Sequence, residues 1–170
     1  KRFTKSLLVT ALVPVMAFSA NADTLKVSFI AQEDSAKDMK RGDYISGAAT
    51  LERNMRTYSK TDKLVAYINL CAAYTKLSQF TLAEQACMKS TDMLPTVKAF
   101  AVDLEKLKAL AFNNLGVYHH LVNEPKQALS MFNTSLSIDK RSLAALNLTH
   151  VTSTDSTTKT DVNKDAFIAE

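Results

Sequence analysis

The chain has 170 residues, with 21 Lys and Arg against 17 Asp and Glu, two Cys, three Gly, three Pro and no Trp. That length suits one small domain with short flanking segments, and so few Gly and Pro exclude a many-stranded, turn-rich β architecture. The formal charge of +4 comes without a basic stripe or an aromatic platform beside Lys/Arg runs, so nucleic-acid binding has no electrostatic footprint.

Residues 1–22 read as a secretory signal peptide. Lys1, Arg2 and Lys5 form a basic start, Leu7 to Phe18 an apolar run broken by Thr10 and Pro14, and Ala20 and Ala22 the small residues read at a cleavage site before Asp23. The run is too short to span ~30 Å of hydrocarbon, so no membrane insertion is expected after cleavage. Three of the basic residues and none of the acidic ones lie in this segment, so the remainder carries a charge near +1. Residues 23–37 read as an N-terminal arm, in which Thr24 to Ile30 alternates weakly between polar and apolar.

From residue 38 the pattern is helical. Gly42-Asp43-Tyr44, followed by Gly47 and Leu51, marks a turn and a helix. Leu64, Tyr67, Ile68, Leu70, Cys71, Tyr74 and Leu77 fall on helical spacing, and a turn at Ser78-Gln79 leads into a helix carrying Ala83, Ala86, Cys87 and Ser90 that ends at Pro95. Val97, Phe100, Leu104, Leu107 and Ala111 continue a seam that predicts one long helix from Thr96 to Leu121. Asn123-Glu124-Pro125 marks the next turn, with Pro suited to the first turn of a helix. Leu143, Leu146 and Val151 predict a closing helix, with Asn147 and His150 on its solvated side. Residues 152–170 open on a stretch rich in Ser, Thr, Asp and Lys, with little apolar surface to offset ordering, and are expected to be a disordered tail.

One spacing occurs twice. Tyr67-x2-Leu70-Cys71-x2-Tyr74 with Ala83-x3-Cys87 and Pro95 is matched by Phe112-x2-Leu115-Gly116-x2-His119 with Ala128-x3-Phe132, Lys140 standing at the closing Pro. The pattern resembles the tetratricopeptide repeat, a 34-residue helix–turn–helix unit. The resemblance covers residues 38–151, with a half copy at Gly42 to Leu51. It departs in putting cysteines at the Gly and Phe positions and in offsetting the copies by 45 residues. It implies an all-α fold, a short tetratricopeptide-like stack of antiparallel helix pairs with a closing helix, and a concave face that binds rather than reacts. The family's ligand-facing positions carry over to Val65, Ile68, Ala72, Thr75, Leu110, Asn113, Val117 and His120. Only Asn113 is of the carboxylate-clamp type, so the resemblance implies a mostly apolar groove for a peptide or a helix, with Asn113 and His120 as polar handles.

About the turn at Ser78-Gln79, residues of a hairpin pair symmetrically: Tyr74 opposite Ala83, Cys71 opposite Cys87, Tyr67 opposite Ser90. A Cys71–Cys87 disulfide is therefore expected in an exported chain; two buried thiols acting as small hydrophobes are the alternative. Little else suggests chemistry. His119 and His120 are adjacent and point to different faces, His150 stands apart, and no metal-ligand spacing, nucleophile elbow or phosphate loop occurs. The expectation is a non-catalytic protein- or peptide-binding scaffold, periplasmic or secreted, without cofactor or metal. The alternatives are an assembly protein that forms a homodimer through the long helix, or a small thiol-dependent redox protein.

Overall fold

The computed structural model describes residues 25–30, 33–98 and 101–153. The signal segment and nearly all of the expected tail lie outside the described residues. Those described form α1 (Glu33–Lys40), α2 (Tyr44–Asn54), α3 (Lys60–Lys76), α4 (Phe80–Met93), a 3-10 turn (Leu94–Thr96), α5 (Ala101–Leu121) and α6 (Pro125–Ile138). A further helix, α7, spans residues 144–153. The fold is all-α: α1/α2, α3/α4 and α5/α6 are hairpins that stack through α2 on α3, α4 on α5 and α3 on α5. The helical body thus begins at Glu33, ahead of the expected boundary at residue 38.

The three hairpins turn in one way. Gly42, Ser78 and Asn123 adopt positive φ, at 83°, 56° and 63°. The next amide in each case, of Asp43, Gln79 or Glu124, donates to the carbonyl five residues back, on Asp38, Tyr74 and His119, at 3.0, 2.9 and 2.8 Å. This closes orphan carbonyls of the first helix while reversing the chain. Five residues beyond each positive-φ residue stands a buried small one, Gly47, Ala83 or Ala128, and nine beyond stands a buried larger one, Leu51, Cys87 or Phe132. Small residues at the turn end let the paired helices approach.

Position by position, Cys71 and Cys87 in α3/α4 correspond to Gly116 and Phe132 in α5/α6. The first pair is a disulfide with Cα atoms 4.7 Å apart, and both cysteines are fully buried. In the second, a Cβ on Gly116 would sit 2.6 Å from Phe132 Cε1. Gly116→Ala should therefore destabilise by about 1–3 kcal/mol through overpacking, despite the roughly 1 kcal/mol that Ala gains over Gly in a helix. Urea unfolding of Gly116→Ala with and without Phe132→Leu tests this. The second substitution should recover most of the loss caused by the first.

Two expectations change at α5 and α7. The long helix starts at Ala101, not Thr96. Pro95 sits in the 3-10 turn and Val97 is extended at φ −95°, ψ 130°, which lets the chain reverse after α4. The 21 residues of α5 span about 31 Å. Of its expected seam, Val97, Leu107 and Ala111 are buried with Leu64, Ile68 and Leu94, so this part packs internally; Phe100 lies outside the described residues. In α7 the inward face is Ala144, Asn147 and Val151, while Leu146, and Leu143 just ahead of the helix, are exposed. The sequence placed Asn147 toward solvent; it is buried because backbone groups inside the fold meet its amide, and the helix is rotated accordingly.

Candidate functional site

Residues 25–30 run extended across α7, α5 and α3. Three asparagines hold them, one from each helix and each at most 1% exposed. Asn147 Oδ1 accepts from the Lys26 amide at 2.7 Å, and Asn147 Nδ2 donates to the Lys26 carbonyl at 2.9 Å. Asn114 does the same for Ser28, at 2.7 and 2.7 Å. Asn69 does so for Ile30, at 2.7 and 2.8 Å. In an extended strand the N–H and C=O of one residue point the same way and alternate residues share an edge. A carboxamide, with one acceptor and one donor end, therefore reads each alternate residue in the manner of a β-ladder. Asn113 ties the set together: its Nδ2 donates to the Lys26 carbonyl at 3.0 Å, and its Oδ1 accepts from Asn147 Nδ2 at 2.9 Å.

Hydrogen bonds decide whether this arm stays docked. Its apolar side chains, Leu25, Val27, Phe29 and Ile30, contribute at most about 1.5–3 kcal/mol each on burial. Ordering the six residues costs about 1–2 kcal/mol apiece. The two nearly cancel, leaving the asparagine bonds, at about 0.5–1.5 kcal/mol each, to set the balance.

The residues assigned to a groove from the repeat pattern lie around this arm. Ile68 and the half-buried Val65 share an apolar cluster with Ile30. Ala72 belongs to the cluster on which Val27 and Phe29 pack. Val117 packs with Leu25, and Asn113 bonds Lys26. Leu110 lines, with Val27, Ser28, Phe29, Lys106 and Arg141, a cleft of about 340 Å³ beside the arm. Thr75 and His120 stand one turn further along α3 and α5. Thr75 Oγ1 and His120 Nδ1 are buried without a hydrogen-bond partner among the described residues.

Burial, and then the nearby His150, hold His120 below the ordinary histidine range. Its neutral form is the one the fold favours, so the unfolded chain binds the extra proton as pH falls through the unfolded imidazole's range. Stability should therefore rise with pH across that range and level off above it. His120→Gln should flatten the slope, as read by thermal unfolding between pH 5 and 8. His119 stands at the position equivalent to Tyr74, where the repeat pattern implies a packed core side chain, and it is not in the core. It is half-buried, with Nδ1 2.6 Å from Glu124 Oε2 across the turn.

Sequence reasoning assigned no role to Asn69 or Asn114 and placed Asn147 in solvent. The signal was there: the dipeptide Asn-Leu occurs at 69–70, 114–115 and 147–148, each time three residues after a fully buried Ala, at 66, 111 and 144. On that register α7 is equivalent to α3 and α5, the first helix of a further unit.

No protein-family model matches the chain, and neither does any curated protein or solved structure. Among the described residues, no group of three His, Cys, Asp or Glu side chains is placed to hold a metal ion, and no helix is long and apolar enough to cross a membrane.

Proposed function

We propose that the chain is a non-catalytic scaffold of tetratricopeptide-repeat kind that binds a protein or peptide segment in extended conformation, in the periplasm or outside the cell. The observation that carries this reading is the three-rung asparagine ladder. It satisfies backbone groups, which every peptide has, and so suits binding of a strand more than catalysis. Export is supported by the pattern of residues 1–22 and agrees with the buried Cys71–Cys87 bridge; N-terminal sequencing of exported protein should find Asp23 first. A thiol-dependent redox role is disfavoured because both sulfurs are out of reach of an attacking thiolate. A dimer through the long helix is disfavoured by the internal packing of Leu107 and Ala111.

The test is a screen of the purified protein against labelled eight-residue peptides by fluorescence anisotropy. In the Ser28→Pro background, where the arm has lost its Asn114 bond and competes less for the ladder, binders should weaken at least tenfold on Asn147→Ala with helical content unchanged. A screen whose binders all ignore Asn69, Asn114 and Asn147 would remove the reading.

A further inference from the structure

The ladder already has an occupant, residues 25–30 of the same chain. This occupant displays a pattern. Leu25 fills a fully buried site against Val117, Ala128 and Phe132. Lys26 is exposed, Val27 and Phe29 pack on the cluster of α3 and α4, and Ser28 is buried beside Asn113. Ile30 packs against the cluster around Leu64 and Ile68. The slots therefore demand, in order, a large apolar residue, an unconstrained one, an apolar one, a small one and two apolar ones. Two features make this occupant removable. Cleavage before Asp23 would leave the arm as a strand with a free end two residues ahead of Leu25. Its docking also rests on bonds to alternate backbone groups, which another strand satisfies equally well.

We infer that the arm is a displaceable stand-in for the ligand, and that the groove takes in trans an extended peptide segment with the same apolar-x-apolar-small-apolar-apolar pattern. The inference rests on the reading of the ladder as a peptide site. It adds which strand fits and what must leave first. A tethered arm presents itself at an effective concentration near the millimolar range, so an incoming strand binds only weakly until the arm is weakened.

The experiment uses the mature protein beginning at Asp23 and a fluorescent peptide of sequence Asp-Thr-Leu-Lys-Val-Ser-Phe-Ile, the chain's own residues 23–30. Ser28→Pro keeps the arm extended but deletes the amide that Asn114 accepts from. The folded Ser28→Pro protein should bind the peptide at least tenfold more tightly than wild type, and adding Asn114→Leu should abolish the gain. A folded Ser28→Pro protein that binds no better than wild type overturns the inference. Hydrogen exchange on wild type guards against a variant that fails to fold. The Lys26, Ser28 and Ile30 amides should open at least a hundredfold more often than α5 core amides. If they exchange only with global unfolding, the arm is a fixed strap and the inference is overturned. Peptide arrays on Ser28→Pro separate the two readings. Ladder-dependent binding of sequences that lack the pattern would overturn the pattern and keep peptide binding, whereas no binding of any peptide overturns both.

Discussion

Replacing Asn114 by Leu should lower the free energy of unfolding by about 2–4 kcal/mol. Leu has the branched shape of Asn and is somewhat bulkier, so no cavity opens. Instead the Ser28 N–H and C=O, both met by this one side chain, lose their partners inside the protein, and each orphan costs about 1–3 kcal/mol. The arm has a way out that caps the loss: it undocks and hydrates those groups, giving up the burial of Leu25, Val27, Phe29 and Ile30. The signature is therefore local. Amides of residues 26, 28 and 30 should lose their exchange protection while those of α3 and α5 keep most of theirs. Asn133→Leu is the control, because Asn133 lies on the exposed face of α6 and its replacement should stay within about 0.5 kcal/mol. Urea titration of both variants decides the matter: equal midpoints would mean that the ladder contributes nothing to stability.

The same residues show what the sequence could and could not reveal. The hairpins were legible because apolar spacing, Pro95, Pro125 and the positive-φ positions at Gly42, Ser78 and Asn123 each act locally. Cys71 and Cys87 were legible as a pair because a hairpin folds residues symmetrically about its turn. The start of α5 was not, since apolar periodicity runs unbroken through Val97 although the backbone there is extended and the side chain packs from outside the helix. The ladder was missed for a deeper reason. A buried Asn in a helix costs free energy unless something bonds it. From the chain alone nothing indicated that residues 25–30, more than a hundred positions from Asn147, would supply the partner. Polar character therefore argued for solvent, and only the recurrence of Asn-Leu in register argued against it.

The second large effect belongs to the disulfide. Removing it as Cys71→Ala/Cys87→Ala should cost about 3 kcal/mol, the loop-closure entropy of a bridge spanning 16 residues. For a domain of this size that is a drop of about 10 °C in Tm. Because both cysteines are fully buried, a reductant acts only on opened molecules, so loss of the bridge at neutral pH should track the unfolding equilibrium and be slow in native protein. The equivalent hairpin supplies a sharper test. At these positions α5/α6 carries Gly116 against Phe132, a contact that fills the same space without a covalent bond. Cys71→Gly/Cys87→Phe should therefore lose less stability than the Ala pair, since the Phe ring refills the volume that two Ala residues leave empty. Gly in the helix takes back roughly 1 kcal/mol of that gain. Thermal unfolding of the two double variants side by side reads the difference. If the Gly/Phe pair melts lower than the Ala pair, the hairpins share a backbone plan but not an interchangeable core.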